Sequence, residues 1–178
     1  IAHALGYRFY DTLGNPLSPV GKNLIKIDTI DSRRVTSNLK YFNIEVFCDV
    51  NNLMYGSEGA SFIYAAQKGA TQSQVKLLDE GLKNLVAKLT ENDYKKISDI
   101  PGSGAAGGVG GGSIAFLDAK LVSGIDKIIR VVQLEKLINN CDLIITGEGK
   151  LDSQTNKGKV ISGICKIAKK YHKPVIAV

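Results

Sequence analysis

At 178 residues the chain is long enough for one ordinary hydrophobic core. Hydrophobic residues at 44% and charged residues at 22% exclude a mostly disordered polymer. The net charge of +6 suits a protein that handles anions, but 17 acidic residues are interspersed with 23 basic ones, which argues against a dedicated nucleic-acid surface.

Cys48, Cys141 and Cys165 show no metal-ligand spacing, and their odd number argues against a complete disulfide framework. Nothing reads as a secretory leader, and no apolar run is long enough to span a bilayer. A reducing cytoplasm and no membrane partner are the expectation. The chain opens on Ile1 and closes on the apolar run Pro174 to Val178, read as a buried strand. These ends are expected to be cuts within a longer protein.

In chain order, Gly6 to Phe9 reads as a short strand that enters a turn at Asp11 to Pro16, where Gly, Asn and Pro supply the turn chemistry. Residues 17–40 are weakly patterned and carry no assignment. Ile44 to Cys48 reads as an apolar strand ending in Asp49-Val50-Asn51-Asn52. Thr71 to Leu89 is the clearest helix. Thr71 and Gln74 form a capping-box pattern, and Val75, Leu78, Leu82, Leu85, Val86 and Leu89 recur at helical spacing. Its role is read as structural.

Glycines dominate residues 102–112, which reads as a loop with a short helix, Ile114 to Leu117, behind it. Two short helices are expected within Gly124 to Ile138. Leu143 to Thr146 is a continuous apolar strand. Lys159 to Tyr171 is a second amphipathic helix, with Val160, Ile164, Ile167 and Ala168 on one face, and a strand at Val175 to Val178 follows. Strand, helix and strand make a βαβ unit, which implies parallel neighbours and an α/β fold with helices flanking parallel sheet layers.

In such folds ligands collect beyond the carboxyl ends of strands. Two strands end in polar clusters: Asp49, Asn51 and Asn52 after the first, and Thr146 to Lys150 with Asp152 after the second. Gly102-Ser103-Gly104-Ala105-Ala106-Gly107 matches G-x-G-x-x-G, but its lead-in, Lys96 to Pro101, is no convincing strand, as a dinucleotide fingerprint requires. Glycines here either expose backbone N–H groups to a phosphate or allow close helix packing. Ser153 to Val160 approaches the P-loop pattern but has Ser153 for its first glycine and Val160 for its hydroxyl. His3 and His172 are isolated and read as surface residues.

Three stretches together resemble the bacterial-type glycerate kinase family. The first is Cys48-Asp49-Val50-Asn51-Asn52, leading through Gly59-Ala60-Ser61 to Gln67-Lys68-Gly69-Ala70. The second is Pro101-Gly102-Ser103-Gly104-Ala105-Ala106-Gly107-Gly108. The third is Asp142 to Asp152, with Gln154-Thr155 and Gly158-Lys159 behind it. The likeness runs from about Leu5 to the last residue, and family members are about twice this length. The chain therefore looks like the central part of such a protein, with its internal domain boundary unassigned. It departs from the family pattern at Leu53, Ala65-Ala66, Lys150 and Ser153, where Pro, Gly-Pro, Arg and Gly are usual.

The resemblance implies a two-lobed α/β enzyme that transfers phosphate from ATP, with Mg²⁺, to the small molecule D-glycerate; it leaves a homo-oligomer open. Phosphoryl transfer is mostly positioning and charge neutralisation. Mapped onto the motifs, Asp49, Glu148 and Lys150 are the catalytic candidates, with Asp49 the first choice for taking the acceptor proton. Asn51, Lys68, Gly102, Gly104, Gly107, Asp152, Gln154 and Lys159 are the candidates for holding substrate or phosphate. Glu148 and Asp152 are the candidate metal ligands. Two other classes stay open at this point: an oxidoreductase built on the G-x-G-x-x-G segment, and a basic anion-binding or regulatory module without turnover.

Overall fold

The computed structural model describes residues 1–147 and 160–178. They fall into two compact units, Ile1–Leu121 and Val122–Val178. The elements are helices and short strands mixed along the chain, and the fold class is α/β.

The first unit is organised by helix α2, Gln72–Glu91. Thr71 caps it as expected, with its hydroxyl accepting from Gln74 N–H while the Gln74 side chain accepts from Thr71 N–H. The apolar stripe buries Val75, Leu82, Leu85, Val86 and Leu89, each worth roughly 1.5–3 kcal/mol before entropy. Against it lies a six-residue 3-10 helix, Gly21–Lys26, inside the stretch that carried no assignment. The close approach is possible because α2 has a glycine there: a Cβ on Gly81 would stand 2.9 Å from Leu24 Cβ. Asn84 Nδ2 then donates to the carbonyls of Leu24 and Ile27, at 2.9 and 2.8 Å.

Strands β1 (Arg8–Tyr10) and β2 (Thr29–Asp31) pair antiparallel, with Phe9 opposite Ile30. The turn after β1 forms as its residues predict, Asp11 Oδ1 accepting from Leu13 and Asn15 N–H. Strand β3 (Glu45–Phe47) pairs with β4 (Lys120–Val122). Helix α1, Ala60–Tyr64, sits between the β3 loop and α2 in sequence. Tyr7, Phe9 and Tyr94 surround Phe116, with the Tyr7 and Phe116 ring centres 4.8 Å apart. These rings join the α2 stripe in one core.

The glycine-rich segment differs from the expected loop. Helix α3 runs Ala105–Leu117 and so takes in most of these glycines. It is kinked at Ala106, Gly107 and Gly108, all left-handed, with φ of 52, 76 and 96°. Glycines are poor helix formers, so the tertiary contacts described below override propensity here.

In the second unit, helices α4 (Gly124–Val131) and α5 (Leu134–Asn139) are the two short helices expected. Strand β5 (Ile144–Thr146), helix α6 (Val160–Lys170) and strand β6 (Val175–Ala177) form the predicted βαβ unit, and β5 and β6 are parallel, with Ile145 opposite Ile176. Ile129, Ile138 and Ile167 make a small core of their own. Two expectations change. Helix α6 buries Ile161, Ile167 and Ala168, and Val160 is exposed, so the apolar stripe starts one residue later than the sequence reading placed it. Strand β6 pairs with β5, and among the described residues its Ile176 is 48% exposed where a buried strand is the expectation. No helix among the described residues is long and apolar enough to cross a membrane.

Candidate functional site

The loop after β3 is held by a compact set of contacts within the first unit. The Tyr64 hydroxyl donates to Asn52 Oδ1 at 2.6 Å, and Asn52 Nδ2 donates to the Glu58 carbonyl at 3.0 Å. The Asn52 carbonyl accepts from Gly104 N–H at 2.8 Å. Asn52 thus ties the end of β3 to α1 on one side and to the start of α3 on the other. Burial, with a smaller contribution from Cys48, pushes the Tyr64 phenol above its usual value, so it remains a hydrogen-bond donor throughout the neutral range.

The glycines divide between two roles. Gly102 is left-handed, with φ of 87°, and a Cβ there would lie 2.7 Å from Cys48 Sγ. A Cβ on Gly104 would overlap the Leu53 carbonyl, and one on Gly111 would come within 2.6 Å of Met54 Sδ. Gly102 and Gly104 are therefore required by close backbone packing against the β3 loop. Gly107 is different: it is exposed, and nothing lies within 4 Å of its Cβ position. Ser103, between the two packing glycines, is fully buried and its hydroxyl has no partner among the described residues.

Gly107 and Lys68 share one cleft of about 290 Å³. Its walls are mainly apolar, from Leu24, Ala60, Ala65, Ala70, Leu78 and Leu82, with Ser61 and Tyr64 as polar members. Lys68 closes the 3-10 helix Ala66–Lys68, which Gly69 ends in a left-handed cap with φ of 91°. Two candidates on separate motifs thus meet at one cleft, and Tyr64 links that cleft to Asn52.

Asp49 and Asn51 lie exposed on the loop directly after β3. They do not line the cleft. Glu148, Lys150, Asp152, Gln154 and Lys159 lie outside the described residues. Among the described residues no group of three or more His, Cys, Asp or Glu side chains could hold a metal ion.

Two contributors escaped the sequence reading. Tyr64 gives no sequence signal, since a single tyrosine in a five-residue helix is ordinary. Asp79 does give one: it sits on the apolar stripe of α2, four residues after Val75 and three before Leu82. Only 7% exposed, it accepts from Gly56 N–H with both oxygens, at 3.0 and 3.2 Å, and so anchors the turn that leads into α1. Helix α2 is thus more than apolar packing. Burial raises the Asp79 carboxyl above its usual value, against the opposing pull of the Gly56 N–H.

A raised folded-state value means that the folded protein holds this proton more tightly than the unfolded chain. The associated stability is fully present below the unfolded value and is lost as pH rises through the folded one. Asp79→Asn removes the titration and keeps an acceptor for Gly56. The stability of Asp79→Asn relative to the parent protein is therefore expected to increase as pH rises from about 3 to 8, read from urea midpoints. A difference that does not change with pH contradicts this account of Asp79. Asp79→Leu, which strands the Gly56 N–H, costs about 1–3 kcal/mol.

Comparison with known proteins agrees with the motifs. The model of the glycerate kinase family matches residues 1–178. A glycerate kinase of Halalkalibacterium halodurans is 40% identical over 178 residues, which is all of this chain and 47% of that protein. The glycerate 2-kinase of Escherichia coli K12 is 41% identical over 178 residues, again 47% of its length. A crystal structure from Salmonella typhimurium LT2, described as a candidate glycerate kinase 2, superposes with a TM-score of 0.84 at 40% identity, covering 99% of this chain and 47% of the other. The chain spans about half the length of the curated relatives it matches. With every residue inside the family match and the fold shared, the chain belongs to the glycerate kinase family.

Proposed function

We propose that the intact protein carrying this chain phosphorylates D-glycerate with ATP, releasing ADP and a phosphoglycerate, and that it works in the cytoplasm. The observation that carries the reading is the family match over the whole chain. The geometry supports it: an exposed carboxylate, Asp49, follows a strand end, and the same loop is tied through Asn52 and Tyr64 to a cleft bearing Lys68.

In this reading Asp49 accepts the proton of the attacking glycerate hydroxyl as that oxygen bonds to the γ-phosphorus and the bond to the departing ADP oxygen breaks. Asn51 orients the acceptor by hydrogen bonding. Lys68 neutralises charge on the phosphates, a role that Lys150 and Lys159 share. Glu148 and Asp152 would hold Mg²⁺, which needs only one or two protein carboxylates and would supply charge neutralisation to the phosphates.

Mass spectrometry of the reaction mixture tests this. The intact protein is expected to form phosphoglycerate only when D-glycerate, ATP and Mg²⁺ are all present. Well-folded protein that forms no phosphorylated hydroxy acid, but binds polyanions with strong salt dependence, would instead favour the binding-module reading.

A further inference from the structure

The cleft at Lys68 and Gly107 is too apolar for glycerate, and its walls suit a different part of the reaction. Glycerate carries an oxygen on each of its three carbons and offers no apolar face. The cleft is lined chiefly by Leu24, Leu78, Leu82 and three alanines, and its volume is about 290 Å³. That volume holds a purine and part of a ribose, whose flat faces gain from apolar walls. Its polar members are few: Lys68, Tyr64 and Ser61, with the open backbone at Gly107. Ser61 is only 4% exposed and lies on the cleft wall. A flexible cation beside bare glycine backbone is the chemistry that receives a phosphate chain.

We propose that this cleft is the nucleotide site of the kinase, with the base and ribose against the leucine and alanine walls and the phosphates directed to Lys68 and Gly107. The assignment rests on the kinase reading above. It gives Tyr64 a connecting role, because this residue of the cleft wall also holds Asn52 through its hydroxyl, three residues from Asp49. The donor cleft and the acceptor loop are then set by one hydrogen bond. It also separates the two kinds of candidate: Lys68 and Gly107 serve ATP, while Asp49 and Asn51 serve glycerate.

The test uses the intact protein and two cleft variants, Ala65→Leu and Lys68→Met. Ala65 has right-handed helical geometry, φ −74° and ψ −38°, which any larger side chain can adopt, and it lines the cleft. ADP binding is measured by calorimetry, independently of turnover, and KM is measured for both substrates. Each variant is expected to weaken ADP binding and raise KM for ATP about tenfold, with KM for D-glycerate changed less than about twofold. Ala70→Leu on the same wall is the replacement if Ala65→Leu fails to fold. Unchanged ADP affinity in folded variants overturns the assignment, and so does a raised KM for glycerate with KM for ATP unaltered. Absence of turnover in the parent protein, with ADP binding weakened in the variants as stated, refutes the kinase reading and leaves the nucleotide site standing.

Discussion

Gly104→Ala is expected to destabilise the first unit by about 3 kcal/mol or more. The backbone of Gly104 is not the cause. Its φ of −78° and ψ of −5° are open to any residue. The cost is steric: the added Cβ would overlap the Leu53 carbonyl, which belongs to the backbone and cannot rotate away as a side chain would. Relief requires the β3 loop to move. That movement stretches the 2.8 Å bond from Gly104 N–H to the Asn52 carbonyl and disturbs the Tyr64–Asn52 contact with it. Gly112→Ala is the control on the same helix. Nothing lies within 4 Å of its Cβ position, so the substitution should stabilise by about 0.5–1 kcal/mol through helix propensity alone. Urea unfolding of both variants reads the contrast. If Gly104→Ala stays within about 0.5 kcal/mol of the parent, the close packing of α3 on the β3 loop is wrong.

Asp49→Asn is expected to reduce kcat of the intact enzyme about 10²–10⁴-fold while leaving KM for ATP within a few-fold of normal. On the proposed reading, asparagine keeps the size and one acceptor oxygen of Asp49 but cannot accept the glycerate proton. The loss therefore falls on the chemical step. Asp49 also follows β3 directly and is exposed, so the substitution leaves the core untouched. A variant with lowered stability and a general rise in both KM values would mark Asp49 as a loop-shaping residue instead.

Much of the fold was legible because its signals are local. The capping box at Thr71, the stripe of α2 and the βαβ unit ending in β6 each follow from side-chain spacing. Residues 17–40 were not legible, because 3-10 helices such as Gly21–Lys26 and a three-residue strand have too little length to show a period. The position of that 3-10 helix depends on Gly81 and Asn84, some sixty residues further along the chain. The glycine-rich segment illustrates a different limit. A run of glycines shows that backbone comes close to something, but does not show to what. Gly102 and Gly104 meet the β3 loop, whereas Gly107 opens on a cleft.

The candidate site was legible as motifs rather than as geometry. Asp49, Asn51 and Lys68 stood out because strand ends and the family resemblance single them out. The Tyr64–Asn52 bond, which relates the motif of β3 to the cleft, joins residues twelve apart through a helix and leaves no pattern in either. Asp79 could have been found, since a carboxylate on an otherwise apolar stripe requires a partner once buried.

On the proposed reading, the β3 loop of this chain carries the proton acceptor of an ATP-dependent glycerate kinase. The most direct test is ADP release by the intact protein and its Asp49→Asn variant, each with and without D-glycerate, in the presence of Mg²⁺. Glycerate-dependent release that falls at least a hundredfold in a folded variant, about 3 kcal/mol of lost transition-state stabilisation, is the result expected. Near-normal glycerate-dependent release from the variant would contradict it.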